Sequence, residues 1–282
     1  QVYRKPIEKH GDTERAHALK ARIAPFMLRR TKAQVASELP EKTEIVQLLE
    51  LESDQRNLYE SIRLVMETKV RELFVQKGVA ASQIQFLDAL LKLRQACCDA
   101  RLVPVEHARS VQTNAKLQWL RDTLPEMLEE GRNILIFSQF ASMLTLIEDE
   151  LTALGISYSK LTGQTRHRQQ QIDAFQHGDT RVFLISLKAG GTGLNLTAAD
   201  TVIHYDPWWN PAAEAQATDR AHRIGQQKAV FVYKLIASNT VEQKVQLLQQ
   251  HKRQLADQLF AGGKGQPWQG QADDLLALFS AD

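Results

Sequence analysis

Short apolar runs mark the second half of the chain. From Arg132 onward, runs of consecutive apolar residues predict β-strands, because a strand buried on both faces loses the alternation of a half-exposed one. Segments of helical period separate these runs, as in a parallel sheet covered by helices on both faces. The sequence therefore predicts a doubly wound α/β domain. The predicted strands cover residues 133–138, 156–160, 181–186, 201–205 and 229–236, and the predicted helices cover residues 140–154, 166–177 and 211–223.

The first half of the chain has mostly helical periodicity. Alternation over Thr43–Leu51 predicts one strand, and residues 54–130 then predict three helices. A last helix is predicted over Val241–Phe260, followed by a glycine-rich linker and a short amphipathic tail. The expected caps and breaks are Asp54 at the start of the first helix, Gly78 as its break, and Thr113 or Asn114 at the start of the third.

A glycine-rich segment, Lys188–Asn195, follows the strand predicted over residues 181–186 and has the sequence KAGGTGLN. Ligands of open α/β sheets bind beyond the carboxyl ends of strands, where glycines let backbone N–H groups approach an anion. The P-loop pattern GxxxxGK[ST] is absent from the sequence. For this glycine turn, a tight turn that only packs strand on helix remains the alternative.

Two arginines lie near the end of the helix predicted over residues 211–223. Gln216, Arg220 and Arg223 have i, i+4 and i+7 spacing, which predicts one shared helix face. A planar guanidinium pairs with phosphate oxygens and can stabilise the charge that spreads over a transferring phosphate. For either arginine alone, the alternative is the general preference of cations for a helix C-terminus.

Small polar residues and a lysine come directly after several predicted strands. The carboxyl ends of parallel strands meet at one edge of a sheet, so these residues are expected to lie together. Hydroxyl groups, backbone N–H groups and cations contact nucleic-acid phosphates in sequence-independent binding. For each residue alone, an ordinary cap or a solvated side chain is the alternative. The residues are Ser138, Gln139, Thr162, Gly163, Ser186 and Lys188, with Arg168 as a nearby cation.

Composition narrows the classes of function. The chain of 282 residues is 43% hydrophobic and 24% charged, as globular domains are, and its net charge of +2 restricts any nucleic-acid site to a local patch. Cys97 and Cys98 are adjacent, which predicts neither a disulfide nor a metal site. The sequence has no signal peptide and no apolar run of about 18 residues, which argues against secretion and membrane spanning. A start without Met predicts a piece of a longer protein.

The block from Leu184 to Gln226 resembles the C-terminal motor lobe of the Swi/Snf-type chromatin-remodelling ATPases, in helicase superfamily two. Its runs GGTGLNL, DPWWNP and QATDRAHRIGQ resemble motif V, the signature that follows it, and motif VI. The resemblance covers about residues 25–260, although the family's usual His-Pro near residue 99 is Asp99-Ala100 here. Further matching blocks are Ile134–Phe140, Leu161–Gly163, Arg168–Gln169, Ile172–Phe175, Phe26–Lys32 and Leu93–Cys97.

The resemblance implies a RecA-like lobe that takes part in ATP-driven translocation along duplex DNA. It implies arginine-finger roles for Arg220 and Arg223. It also implies DNA-backbone contacts at the strand-end residues and Arg168. Nucleotide contacts are implied at Gly191, Gly193, Asn195 and Gln216. The implied domains are a lobe-linking segment (1–53), a helical protrusion (54–114), the RecA-like helicase C-terminal domain (115–240), and a brace helix with tail (241–282).

A Walker A motif and a DExH box are absent from the sequence. The resemblance therefore implies that an N-terminal lobe of the same protein holds Mg²⁺ and most of the ATP contacts, and the isolated chain is expected to be inactive. The expected partners are duplex DNA, that lobe and a DNA-bound protein complex, with no membrane. The expected location is the cytoplasm or nucleoid of a bacterium, or a eukaryotic nucleus. The alternatives are a catalytically silent DNA- or protein-binding module and a free-standing nucleotide-binding domain.

Overall fold

The structure is a computed structural model that describes residues 12–23, 39–189, 193–208, 211–249 and 275–280. The chain divides into two compact units, Gln1–Leu39 and Pro40–Asp282. In the first unit, helix α1 covers Thr13–Ile23, and the carboxylate of Asp12 accepts a hydrogen bond from the backbone N–H of Arg15 at 3.0 Å. All further elements belong to the second unit.

The second unit is built from a six-stranded sheet and the helices around it. The strands are β1 (Lys42–Leu49), β2 (Ile134–Ser138), β3 (Tyr158–Leu161), β4 (Val182–Ser186), β5 (Thr201–His204) and β6 (Val230–Ala237). The helices are α2 (Ser53–Ala81), α3 (Gln83–Cys98), α4 (Ala115–Glu129), α5 (Ala141–Ala153), α6 (Arg168–His177), α7 (Pro211–Thr218) and α8 (residues 241–249).

The sheet has the strand order β1-β6-β5-β2-β4-β3, and every pair of neighbours is parallel. The predicted doubly wound α/β fold is confirmed. Strands β2 and β4 lie inside the sheet and every one of their residues is buried, which explains their continuous apolar runs. The alternating segment near residue 45 forms the edge strand β1, whose outer positions are exposed.

Two hydrophobic cores cover the two faces of the sheet. Ile134 and Ile136 point to the face that α4 and α5 cover, whereas Leu135 and Phe137 point to the face that α6 and α7 cover. A third core joins α2 and α3 to α8 and to the tail residues Leu275, Leu278 and Phe279. The predicted domain boundaries stay a prediction, although α8 and the tail share a core with the helical protrusion.

The predicted helix caps and the predicted helix break were confirmed at two positions and wrong at a third. Asn114 caps α4, since its side chain accepts a hydrogen bond from the N–H of Leu117 at 2.9 Å. Gly78 interrupts α2 with a φ of 75°, a left-handed conformation that favours glycine. Asp54 is not the N-cap of α2, because the helix begins at Ser53 and Asp54 lies in its first turn.

The helix predicted over residues 211–223 ends at Thr218. Residues 219–226 form irregular turns, named here the arginine turn. Their peptide groups bond to the segment before β5: the carbonyl of Arg220 accepts from the N–H of Leu196 at 3.0 Å. The side-chain amide of Gln226 also donates to the carbonyl of Ala199 in that segment at 2.7 Å, and to the carbonyl of Ala221 within the arginine turn at 3.0 Å. These tertiary bonds replace helical ones, so the single helix face predicted for the two arginines was wrong.

Candidate functional site

Arg220 lies in the arginine turn and is nearly buried, with 9% of its surface exposed. Its Nε atom is buried and has no hydrogen-bond partner among the described residues. Burial lowers the pKa of Arg220, and the positive charges of Arg223 and Arg168 lower it further, whereas Asp219 opposes them. Three guanidinium groups within electrostatic reach of one another, opposed by the carboxylate of Asp219, favour an anionic ligand.

The glycine turn is held against these arginines. Arg223 donates from Nη1 to the carbonyl of Leu194 at 3.2 Å. Arg168, at the start of α6, donates from Nη2 to the carbonyl of Ala189 at 3.1 Å. Both contacts join a guanidinium to a backbone carbonyl of the glycine turn. The structure thus brings Arg168, which was predicted to contact DNA, to the same side as the two predicted arginine fingers.

An open cavity of about 590 Å³ lies between α6 and the described end of the glycine turn, and its lining includes Arg168, Gly193 and Asn195. Gly193 has a φ of 60°, and an added Cβ would meet no atom within 4 Å, so its conformation rather than crowding favours glycine. Gln216 is exposed on α7. Gly191 lies outside the described residues. Of the predicted nucleotide residues that the structure describes, Gly193 and Asn195 line this cavity, and all three are exposed.

The carboxyl ends of β2, β3 and β4 form one edge, named here the strand edge. Ser138 and Ser186 pair in register at the ends of β2 and β4. Ser138 is fully buried, and its hydroxyl donates to the carboxylate of Asp206 at 2.5 Å. The same carboxylate accepts from the backbone N–H of Gln139 at 3.1 Å. The hydroxyl of Ser138 therefore holds Asp206 and does not face solvent, unlike the exposed contact that was expected.

The remaining predicted DNA residues differ in exposure. Ser186 is 6% exposed, and its hydroxyl accepts from the N–H of Ala189 at 3.4 Å. Thr162 is half-buried, whereas Gly163 and Lys188 are exposed. The Nε2 atom of Gln139 is buried without a hydrogen-bond partner among the described residues. Of this set, Gly163 and Lys188 are open to a ligand at the strand edge.

Several buried polar residues near the strand edge were not predicted. Asp206 is 1% exposed; burial raises the pKa of its carboxyl, and the charge of Arg94 and the hydrogen bond from Ser138 oppose that rise. Lys116 and Glu242 form an ion pair with both side chains 0% exposed. A lysine in the first turn of an amphipathic helix gives no sequence signal of burial, because lysines at such positions are normally solvated.

The described residues contain no cluster of three or more His, Cys, Asp or Glu that could hold a metal ion. Cys97 and Cys98 are both free and buried. No helix in the described part of the chain is long and apolar enough to cross a membrane.

Two family models match the sequence. The SNF2-related domain matches residues 1–102, and the helicase conserved C-terminal domain matches residues 115–225. The second match contains the glycine turn and most of the arginine turn. The chain belongs to the Swi/Snf-type ATPases of helicase superfamily two.

Curated relatives match most of the chain. An ATP-dependent helicase of Mycoplasma pneumoniae is 39% identical over 88% of this chain and 24% of its own length. The mouse SWI/SNF-related matrix-associated actin-dependent regulator of chromatin subfamily A member 1 is 38% identical over 83% of this chain and 23% of its own length. The chain thus spans about a quarter of the length of these relatives.

Solved Swi/Snf-type structures have the same RecA-like fold. The Sulfolobus solfataricus SWI2/SNF2 ATPase core domain is 31% identical with a TM-score of 0.70, over 99% of this chain and 57% of that one. The same core in complex with double-stranded DNA is 33% identical with a TM-score of 0.65, over 93% and 55%. Its C-terminal domain alone is 28% identical with a TM-score of 0.62, over 83% and 92%.

Proposed function

We propose that this chain is the C-terminal motor lobe of an ATP-dependent duplex-DNA translocase or remodeller. The observation that carries the proposal is the buried guanidinium of Arg220, which has an unpartnered Nε and lies within the electrostatic reach of Arg223 and Arg168. Desolvation makes a positive charge costly unless an anion compensates it. A triphosphate bound to a facing lobe supplies that anion when the two lobes close.

In this proposal, Arg220 and Arg223 act as arginine fingers on ATP held mainly by an N-terminal lobe. Gly193, Asn195 and Gln216 lie on the nucleotide side. Mg²⁺ is assigned to the other lobe with most of the ATP contacts, because the sequence of this chain contains neither a Walker A motif nor a DExH box. The isolated chain is accordingly expected to hydrolyse no ATP, because the groups that hold the phosphates and the metal come from that lobe.

Duplex DNA is proposed to lie along the strand edge. Lys188 supplies a positive charge and Gly163 an accessible backbone, which are groups that contact phosphates without reading sequence. The family relative solved with double-stranded DNA supports this choice of ligand. A DNA-bound protein complex is a further proposed partner. The proposed location is the nucleoid or cytoplasm of a bacterium, or a eukaryotic nucleus.

The test uses the two-lobe protein, meaning this chain preceded by an N-terminal lobe with Walker A and Walker B motifs. ATP hydrolysis is measured with and without duplex DNA. Arg220→Ala is expected to lower the DNA-stimulated kcat by about 10³–10⁵-fold, the range for arginine fingers. Arg71→Ala is the matched control, since Arg71 is an exposed arginine on α2 that pairs only with Glu67 in the described contacts.

Retained kcat in Arg220→Ala would overturn the finger assignment. A two-lobe protein that binds duplex DNA but never hydrolyses ATP would instead favour the second candidate, a catalytically silent DNA- or protein-binding module. Tight ATP binding by the 282-residue chain alone would favour a free-standing nucleotide-binding domain.

A further inference from the structure

The segment Tyr205–Trp208, named here the bridging segment, connects the end of β5 to the residues before α7. Side chains from three helices donate to its backbone carbonyls. Lys116 on α4 donates to the carbonyl of Tyr205 at 2.9 Å, and Arg94 on α3 donates to that of Pro207. Gln249 on α8 donates to the carbonyl of Trp208 at 2.8 Å. A short loop held at three carbonyls by separate helices has little freedom to move independently of them.

Lys116 uses all its hydrogen-bonding capacity in this arrangement. Its ammonium group has three N–H donors. Nζ lies 2.9 and 2.7 Å from the two carboxylate oxygens of Glu242, and the third contact is the carbonyl of Tyr205. Both charged side chains are 0% exposed, so water cannot replace any of these partners. The position of Tyr205 is therefore tied to the position of α8.

Glu242 adds a second connection to the sheet. Its Oε2 atom accepts from the backbone N–H of Ala237 at 2.9 Å, at the end of β6. Glu242 and Gln249 lie two turns apart on α8 and hence on one face of that helix. One face of α8 thus contacts the bridging segment at both ends, directly through Gln249 and indirectly through Lys116.

The bridging segment in turn contacts both candidate sites. The carboxylate of Asp206 accepts from Ser138 and from the N–H of Gln139 at the strand edge. The N–H of Trp208 donates to Glu214 on α7 at 3.3 Å, and α7 leads directly into the arginine turn. The hydrogen bonds form a continuous path from α8 to the strand edge and to α7, the helix that precedes the arginine turn.

We propose that Lys116 and Glu242 are positioning residues, which set the bridging segment so that the placement of α8 is coupled to the strand edge and the arginine turn. This inference rests on the proposed function. Neither residue touches nucleotide or DNA; both act through Tyr205. Stability alone does not explain the buried ion pair of Lys116 and Glu242, because apolar residues of similar volume usually stabilise a core as well as a buried ion pair does.

The test removes both charges together, in Lys116→Met with Glu242→Gln, so that no unpaired charge stays buried. The glutamine keeps an acceptor for the N–H of Ala237. The matched control is Arg121→Met with Glu150→Gln, an ion pair with a 2.6 Å contact between α4 and α5 that does not reach the bridging segment. Folding of each variant is checked by thermal melting of the 282-residue chain.

In the two-lobe protein, the Lys116/Glu242 double variant is expected to keep its KM for ATP and lose about tenfold or more in DNA-stimulated kcat, since small misplacements of catalytic groups cost up to ~10²-fold. In the 282-residue chain, hydrogen exchange is expected to quicken in residues 205–208 and 134–140 but not in β3. The control pair is expected to change neither. A folded double variant with unchanged kcat and exchange would overturn the inference.

A third variant guards against misfolding of the double one. Gln249→Ala removes the direct contact from α8 to Trp208 without changing a charge, with Gln246→Ala on the same helix as its control. Like the double variant, Gln249→Ala is expected to quicken hydrogen exchange in residues 205–208 and to lower the DNA-stimulated kcat. If the unmodified two-lobe protein has no DNA-stimulated ATPase, the proposed function fails, and hydrogen exchange in the chain still decides whether Lys116, Glu242 and Gln249 hold the bridging segment.

Discussion

The Nη1 atom of Arg223 lies 3.2 Å from the carbonyl oxygen of Leu194, so the side chain of one proposed arginine finger also joins the arginine turn to the glycine turn by a hydrogen bond. Substitution of Arg223 therefore has two separable effects. Alanine at position 223 removes both the charge and the hydrogen bond to Leu194, whereas glutamine removes the charge but keeps an N–H donor for the carbonyl of Leu194.

The first prediction separates these effects. Arg223→Gln and Arg223→Ala are both expected to lower the DNA-stimulated kcat of the two-lobe protein by about 10³-fold or more, because neither supplies the charge of an arginine finger. Only Arg223→Ala is expected to quicken hydrogen exchange in residues 193–196. Near-normal kcat in Arg223→Gln would mean that Arg223 acts through Leu194 and not on phosphate.

The second prediction concerns Arg168 and Lys188, which were assigned together to DNA from the sequence. The charge of Arg168 acts on Arg220, and Arg168 lines the cavity beside Asn195, whereas Lys188 is exposed. Arg168→Ala is expected to lower kcat with little change in DNA affinity. Lys188→Ala is expected to weaken duplex binding and reduce the slope of log K against log salt by about 0.9, the value for one phosphate contact. The reverse pattern would return Arg168 to the DNA side.

The third prediction concerns the stability of the buried ion pair. Lys116→Met alone leaves Glu242 buried without its partner, and is expected to lower the free energy of unfolding by about 3–5 kcal/mol. Arg121→Met breaks a pair whose arginine is 43% exposed, and is expected to cost less than about 1 kcal/mol. Urea unfolding of the 282-residue chain measures both. Equal losses would contradict the burial of Lys116.

The fourth prediction concerns acid stability through Asp54. Its carboxylate accepts from the hydroxyl and N–H of Thr113 and from the N–H of Gln112 at 2.7 Å. The hydrogen bond from the Thr113 hydroxyl is the main cause that lowers the pKa of Asp54 from 3.8 to about 2, with burial opposing it. The folded-state pKa lies below the unfolded one, so the stabilisation is complete above pH 3.8 and is lost as pH falls through about 2.

Asp54→Asn is therefore expected to lower the melting temperature at pH 7 and to flatten its fall in acid. Melting from pH 7 to pH 2 measures both effects. Asp88→Asn, the same substitution at an exposed ion pair on α3, is the control. A variant profile parallel to that of the unmodified chain would contradict the role of Asp54.

The fifth prediction concerns His204. Its Nε2 atom shares a hydrogen bond with the hydroxyl of Thr218 at 2.9 Å. Burial lowers the pKa of His204 from 6.5 to about 4, Glu214 opposes the shift and Lys234 adds to it. The folded state disfavours the charged imidazole. The contribution of the neutral His204 ring to the stability of the fold is therefore complete above pH 6.5 and is lost as pH falls through about 4. NMR titration should find the ring neutral at pH 6, and protonation there would contradict its burial.

The order of helices and strands could be predicted from the sequence. The runs ILIFS and VFLIS are apolar up to their final serine, because β2 and β4 are covered on both faces. The local pattern of residues therefore predicts this burial. The cap at Asn114 and the break at Gly78 were also predictable, since each depends only on neighbouring residues. The resemblance of the motif blocks to the family, and not a local pattern, predicted that the glycine turn and the two arginines share one site.

Tertiary structure decided what each polar side chain does at that site. Lys116 bonds to partners 89 and 126 positions away along the chain, and Ser138 bonds to one 68 positions away. Helical or strand periodicity reports only residues a few positions apart, so it could not predict that Lys116 is buried or that Ser138 holds Asp206. The end of α7 at Thr218 has the same cause. The carbonyl of Arg220 accepts from the N–H of Leu196, and the side chain of Gln226 donates to the carbonyl of Ala199. These hydrogen bonds between distant segments form only after the chain has folded.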